Sequence, residues 1–308
     1  MKKNSFLTVC MNPTLQKTLS FPMLIKDSVN RTGEYRLDAS GKGINVSRVL
    51  TQLGRDCCHL TQLGGIMRPL FMDLCRKDKL RLEWVESGSP IRFCYTLLDA
   101  NEKSVTELVE ESERVGEGTE GRLLDAFSAL IGEFSTLIIS GTKADGFSDA
   151  LVPEMVKKAR REGCRVILDV RGNDLLNSLP HGPLVIKPNL YEFFLTFAPE
   201  FISNNGITGN EGQIRERAEQ IWAGLREKYS LSLVLTRGHE PVWYGESGDL
   251  LEHALSPVPP LNTTGSGDAF TAGLASALED GAPLSAAIAS GARCGALNAG
   301  LLRPGVIR

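Results

Sequence analysis

Apolar positions along the chain follow two alternating rhythms. Short apolar runs bounded by turn residues predict buried strands at Phe6–Cys10, Thr136–Ser140, Arg165–Val170, Leu184–Ile186 and Ser232–Thr236. Other stretches repeat their apolar residues at helical spacing. Val46, Val49, Leu50 and Leu53 mark a helix face that ends at Gly54, and Leu151–Arg161 reads as a helix closed by Gly163. Ile214–Lys228, about Asp268–Leu278, and Leu284–Ala299 are predicted helices as well. Strand and helix alternate for most of the length, which predicts an α/β architecture: a parallel sheet with helices on both faces.

Two regions break the alternation. Residues 12–39 contain no good helix. Residues 88–110 read as two strands, Ile91–Leu98 and Lys103–Glu110, joined by a turn at Asp99-Ala100-Asn101-Glu102. Together they are expected to form a small β lid beside the main sheet, with ordinary edge strands as the alternative. No internal repeat or low-complexity tract interrupts residues 1–308, which read as one domain.

Composition narrows the class. With 308 residues, 42% apolar and 23% charged, the chain can bury a full core. A net charge of −3 with dispersed basic residues predicts no nucleic-acid partner. The N-terminal apolar run Phe6–Met11 is too short to span a membrane and stops at Asn12-Pro13. Seven scattered cysteines, an odd number with no C-x-x-C pair, argue against a disulfide framework or zinc site and for a reducing cytoplasm.

The densest chemistry lies at Asn262-Thr263-Thr264-Gly265-Ser266-Gly267-Asp268-Ala269-Phe270. Phe270, Leu274, Ala277 and Leu278 place a helix start near Gly267. Unpaired N–H groups at a helix N-terminus, with glycines that let an anion come close, can cradle a phosphoryl group. An aspartate in that turn repels the anion, so its presence points to a base that takes a proton from an attacking hydroxyl. Read alone, the stretch is equally a capped helix after a glycine turn.

Three further clusters sit at comparable places. Ser40-Gly41-Lys42-Gly43-Ile44-Asn45 leads into a helix. Lys42 can meet an anion and Asn45 a sugar hydroxyl, or Asn45 simply caps the helix. The spacing is neither a Walker A loop nor a dinucleotide fingerprint. Lys187-Pro188-Asn189-Leu190-Tyr191-Glu192 follows a strand; Asn189 and Glu192 can orient water or Mg²⁺, or form a capping box. Thr236-Arg237-Gly238 and Asp169 also end strands, where open α/β sheets bind ligands, though either can be an ordinary turn.

With these motifs in hand, the chain resembles the PfkB family of the ribokinase-like fold over essentially its whole length. Thr264-Gly265-Ser266-Gly267-Asp268-Ala269-Phe270 matches the family's C-terminal signature, Gly41-Lys42-Gly43-Ile44-Asn45-Val46-Ser47-Arg48 its N-terminal one, and Lys187-Pro188-Asn189 with Glu192 its Asn-x-x-Glu motif. Asn12-Pro13 and the lysine in the first glycine turn resemble the 1-phosphofructokinase and tagatose-6-phosphate kinase branch. The resemblance implies a three-layer αβα doubly wound sheet with a small lid from about 12–39 and 88–110. It implies an ATP-dependent, Mg²⁺-requiring kinase acting on a phosphorylated ketohexose, and a homodimer through the lid.

It also implies roles. Asp268 is the base, and Gly265, Ser266 and Gly267 form the anion hole. Gln16, Gly41, Lys42, Asn45, Arg92 and Ser140 face the sugar phosphate. Lys187, Asn189, Thr236, Gly238 and Asn298 face the nucleotide, and Asn189 with Glu192 organises Mg²⁺. Several acceptor-side positions depart from the branch. Gln16 replaces a usual aspartate, Ser40 a usual glycine, and Phe93 a usual asparagine. Thr142-Lys143-Ala144-Asp145 replaces Ser-Leu-Pro, and Pro241 a second glycine. Lys143 either adds a positive group near a substrate phosphate or is a solvated lysine. The alternatives to a hexose-phosphate kinase are a sugar-phosphate sensor with weakened catalysis and a kinase for another small acceptor.

Overall fold

The computed structural model describes residues 5–204 and 206–308. The chain opens with strand β1 (Ser5–Cys10), then β2 (Thr14–Phe21) and β3 (Tyr35–Ser40). Helix α1 (Lys42–Gln52), β4 (Asp56–Leu63), α2 (Arg68–Lys77) and β5 (Arg81–Glu86) follow. Next come β6 (Arg92–Asp99), β7 (Ser104–Val109), α3 (Thr119–Leu130), β8 (Thr136–Ser140), α4 (Leu151–Arg161) and β9 (Arg165–Asp169). A short α5 (Asn173–Leu176), β10 (Val185–Ile186), α6 (Leu190–Phe197), β11 (Ile202–Ser203) and β12 (Gly206–Ile207) lead to α7 (Glu211–Lys228). The chain closes with β13 (Ser232–Arg237), β14 (Glu240–Gly245), β15 (Leu251–His253), α8 (Ser266–Glu279) and α9 (Leu284–Ala299).

Nine strands form the central sheet in the order β15-β14-β13-β10-β9-β8-β1-β4-β5. All neighbours from β13 to β5 run parallel, and β14 and β15 are antiparallel. The sheet is therefore mixed, not the wholly parallel one that the alternation predicts. The cause is local: a tight turn between Arg237 and Glu240 returns the chain beside β13 instead of sending it through a helix. From β1 the chain first winds to β4 and β5, then crosses to β8 on the other side. That reversal opens a crevice at the C-terminal ends of β1 and β8.

Each face of the sheet carries one apolar layer. Leu123, Phe127, Met155, Phe193 and Trp222 from α3, α4, α6 and α7 pack with Leu7, Leu137 and Leu233 on one face. Val46, Leu50, Phe270, Leu274 and Ile288 from α1, α8 and α9 cover Phe6, Ile138 and Val234 on the other. Helix α4 shows how sequence directs this packing. Leu151, Val152, Met155, Val156 and Ala159 form its buried stripe, and Lys158, Arg160 and Arg161 sit in its last turn, where the dipole favours cations.

The residues outside the alternation form a separate four-stranded sheet, β3-β2-β6-β7. Its base is fastened to the body by Leu15 and Ala39 packing with Ile44, Leu63 and Phe71. The register puts Gln16, Asp38, Cys94, Thr96 and Glu107 on one face. Lys17, Leu19, Tyr35, Tyr95, Leu97 and Leu108 lie on the other.

Candidate active site

Strand ends and helix starts converge on Asp268. It lies in the first turn of α8, behind a left-handed N-cap residue, Gly265, with φ of 84°. A Cβ at Gly265 would sit 2.5 Å from the Gly305 nitrogen, so only glycine fits this turn. Gly267 faces open space, and the Ser266 hydroxyl is buried with no hydrogen-bond partner. The turn thus presents helix N–H groups to a vacant approach, as an anion hole requires.

Asp268 is 6% exposed and accepts a hydrogen bond from Asn45 Nδ2 at 2.8 Å. Burial is the main force on its carboxyl and pushes the pKa up to about 7, and Asp169 pushes the same way. Lys42, the Asn45 hydrogen bond and Lys187 oppose the rise. A carboxylate poised near neutrality can take a hydroxyl proton at physiological pH.

A charge cluster surrounds it. Lys42 Nζ lies 2.8 Å from Glu192 Oε1 and 3.6 Å from Asp169 Oδ1. Burial works against the charge on Lys42, but Asp169, Glu192 and Asp268 outweigh it and hold its pKa above the ordinary value. Lys187 Nζ is 3.4 Å from Asp169 Oδ2. Ser140 Oγ donates to Asp169 Oδ2 at 3.1 Å, and Thr271 Oγ1 donates to it at 3.3 Å. Burial disfavours the charge on Asp169, yet the two lysines and the Ser140 hydrogen bond hold its pKa below the usual carboxylate range. Ser140 thus braces Asp169 in this structure. Asp169 carries a stronger role than the turn residue its position in the sequence suggests. An acid at the end of a buried strand, beside two lysines far apart in sequence, was the available signal.

Asn189 and Glu192 form a capping box on α6: Glu192 N–H donates to Asn189 Oδ1 at 2.8 Å, and Asn189 N–H to Glu192 Oε2 at 3.1 Å. That is the second of the two readings open for this pair in the sequence. A backbone bridge joins Asn189 to Thr236, so the two strand ends meet, and Gly238 beyond them faces open space. Asn298 is fully buried behind the anion turn. Its Nδ2 donates to the Arg303 carbonyl at 3.1 Å, and its oxygen lies 3.2 Å from where a Gly265 Cβ would be. Gly41 forms the N-cap of α1 ahead of Lys42.

Gln16 and Arg92 belong to the lid. Gln16 Nε2 donates to Thr96 Oγ1 at 2.7 Å, and Arg92 Nη1 to the Glu110 carbonyl at 3.0 Å. Arg92 Nε is buried without a partner. The lid face that carries Gln16 turns toward the site: Thr264 Oγ1 donates to Glu107 Oε1 at 3.1 Å, and Arg303 Nε reaches Asp38 Oδ1 at 2.8 Å. Phe93 stacks on Tyr95 with ring centroids 6.1 Å apart, on the opposite face. Neither reading of Lys143 fits: its ammonium is nearly buried between Asp174 at 2.5 Å and Asp149 at 2.8 Å. Its ion-pair partners, Asp149 and Asp174, are not among the carboxylates that pair with Lys42 and Lys187.

Among the described residues, no group of three or more His, Cys, Asp or Glu forms a ready metal cage. Asp169 Oδ1, buried without a hydrogen-bond donor, is an orphan acceptor facing the Lys42 ammonium. This donor chemistry fits Mg²⁺, which takes one or two carboxylates and completes its shell with water and phosphate oxygens.

A doubly wound αβα body with a β lid and a glycine anion turn at its switch point defines a ribokinase-like fold. The pfkB family carbohydrate kinase profile matches residues 1–303, and the chain belongs to that family. Its fold is similar to a Thermotoga maritima structure described as a possible 1-phosphofructokinase, with TM-score 0.83 and 20% identity over 98% of this chain and 95% of that one. It is likewise similar to Escherichia coli phosphofructokinase-2 in complex with substrates and products, with TM-score 0.80 and 20% identity over 96% and 92%. A tetrameric inhibited form of the latter protein matches with TM-score 0.79 and 20% identity over 96% and 93%. The chemistry of the family is phosphoryl transfer to an alcohol.

Proposed function

We propose that this chain is an ATP-dependent kinase that phosphorylates a hydroxyl of a ketohexose phosphate, of the tagatose 6-phosphate or fructose 1-phosphate class. The observation that carries the reading is Asp268: a buried carboxyl with its pKa raised to about 7, fixed by Asn45 at the mouth of a glycine anion turn. The acceptor hydroxyl gives its proton to Asp268, its oxygen bonds to the terminal phosphorus of ATP, and the bond to the departing ADP oxygen breaks. Gly265, Ser266 and Gly267 meet the charge on the transferring group. Lys42 and Lys187 add positive charge on the same side.

Mg²⁺, when bound, neutralises phosphate oxygens; Asp169, Asn189 and Glu192 are the residues that would hold it with its waters. Thr236 and Gly238 line the nucleotide side, with Asn298 bracing the turn from behind. On the lid, Arg92 offers a charge to the substrate phosphate and Gln16 an amide to a sugar hydroxyl. Seven free, buried cysteines fit a reducing cytoplasm. No helix among the described residues is long and apolar enough to cross a membrane.

One observation favours a second acceptor. Gln16 stands where the resembling branch has an aspartate, and its N–H is held by Thr96. An amide accepts more weakly than a carboxylate, which suits a sugar with a different hydroxyl pattern. The deciding experiment is Mg·ATP turnover against fructose 1-phosphate, tagatose 6-phosphate, fructose 6-phosphate, fructose and a nucleoside, with Asp268→Asn alongside. Turnover of one phosphosugar that the mutant lacks establishes the reading. Binding of phosphosugars without turnover of any of them favours the sensor instead.

A further inference from the structure

Two buried donors converge on one oxygen beside Asp268. Ser40 Oγ donates to Asn45 Oδ1 at 3.2 Å, and Arg48 Nη1 donates to the same atom at 2.9 Å. A guanidinium has no acceptor, so the amide facing it must present its oxygen. The amide nitrogen is then left for Asp268 Oδ2, to which it donates at 2.8 Å. Arg48 is itself immobile: its Nε donates to Asp78 at 2.8 Å, Nη1 also reaches the Pro304 carbonyl at 3.2 Å, and Nη2 bonds the Ala39 carbonyl. The C-terminal strap closes the remaining side. A Cβ on Gly305 would fall 2.5 Å from the Asn45 Cβ, so only glycine lets the strap lie this close to the Asn45 stem.

We propose that Ser40 and Arg48 are positioning residues for phosphoryl transfer: they lock the Asn45 carboxamide so that its N–H, and not its oxygen, meets the base. The proposal rests on the kinase reading, in which Asp268 is that base. Neither residue touches the reacting atoms. Asn45 stabilises the carboxylate form through its N–H; turned over, its oxygen would repel that form. The other charged groups facing Asp268 are Lys42 on α1 and Lys187 after β10, which favour the carboxylate, and Asp169 on β9, which disfavours it. Ser40 and Arg48 hydrogen-bond none of the three. Ser40 is also one of the positions where this chain departs from the branch it resembles. The extra hydroxyl gives the Asn45 oxygen a second donor that a glycine lacks.

The test compares Ser40→Ala, Arg48→Lys, Asn45→Ala and the two double variants with Asn45→Ala. Asp268 titration is read by carbon NMR of labelled aspartate in the free protein, kcat and KM by turnover, and folding by thermal melting. Ser40→Ala and Arg48→Lys should raise the Asp268 midpoint and lower kcat by about threefold to tenfold, with nucleotide KM changed less than about twofold. Both effects should vanish in the Asn45→Ala background, because the donors then have nothing to hold. A folded Ser40→Ala protein with unchanged titration and kcat overturns the proposal. So do effects that persist without Asn45, which would make the donors independent of it. If Arg48→Lys does not fold, Ser40→Ala decides alone. The titration needs no turnover, so an inactive wild-type protein would defeat the kinase reading while the effect of the Asn45 hydrogen bond on Asp268 is still tested.

Discussion

Asp268 answers two opposed demands: burial favours its neutral acid, and the proposed role as base needs its carboxylate. With the pKa near 7, kcat/KM should climb about tenfold per pH unit below that value and level off above it. Asp268→Asn should lose about 10²–10⁴ in rate and the pH dependence with it, read from pH–rate profiles. The same raised pKa costs stability. The folded state holds the proton more tightly than the unfolded chain, so this contribution is present below pH 3.8 and is lost as pH rises through about 7. Asparagine is spared that loss. Asp268→Asn should therefore match the wild type in urea unfolding near pH 4 and exceed it by on the order of a few kcal/mol at pH 8. His59 works with the opposite sign. Burial, helped by Arg48, lowers its pKa from 6.5 to about 3, so its contribution is present above pH 6.5 and is lost as pH falls through 3. His59→Gln should flatten that part of the stability profile, and the imidazole should show no NMR titration between pH 5 and 8.

The elements that position these groups were unequally visible in the sequence. The Leu151–Arg161 and Leu284–Ala299 helices and the Thr136–Ser140 strand are where apolar spacing puts them. Helix α8 starts at Ser266, one residue before the start near Gly267 that its apolar stripe suggests, because the glycine cap sits ahead of it. Strand β4, between β1 and the edge strand β5, escaped because His59, Thr61 and Gln62 read as polar. All three are buried, and each bonds a neighbour: His59 Nδ1 to Thr8, Thr61 Oγ1 to the Cys10 carbonyl, Gln62 Nε2 to the Met11 carbonyl. Sequence patterning shows residue type, not whether a distant partner satisfies it. The same limit applies to Ser40, Arg48 and Lys143, whose partners are set only by the crossing of α1, the C-terminal strap and the loop after β8. The Gly265–Asp268 turn, equally a capped helix when read alone, was legible because the matching glycine and Asn-x-x-Glu motifs stand with it in order along the chain. The cap of α6 separates two roles of Asn189. Asn189→Ala should lower unfolding free energy by about 1 kcal/mol and Asn189→Asp should restore it, because aspartate caps equally well. A fall in Mg·ATP affinity that Asp fails to restore would show a role beyond the helix, measured by calorimetric titration.

At the scale of the whole molecule, the lid divides its two faces between two tasks. One carries Gln16, Asp38, Thr96 and Glu107 toward the anion turn and the C-terminal strap, through the Glu107–Thr264 and Asp38–Arg303 contacts. The other presents Leu19, Leu97, Tyr95 and Leu108 in one register, with Tyr35 61% and Leu108 52% exposed. Lys17 lies over the Tyr35 ring at 5.3 Å, and Thr106 pairs with Leu97 on the same face. An exposed sheet face of this kind is unfavourable in water and becomes favourable when a second lid covers it. The homodimer through the lid is expected on this ground. Light scattering should give about twice the chain mass for the wild type, and Leu108→Asp should return the monomer by burying a charge at the shared face. The two faces belong to one thin sheet, so freeing the outer one also loosens the strands that hold Gln16 and Arg92. The monomeric variant should therefore show a raised KM for the sugar phosphate with the Asp268 titration unchanged. A Leu108→Asp protein that stays dimeric would place the subunit contact elsewhere. One that is monomeric with an unaltered KM would make the lid's two faces independent.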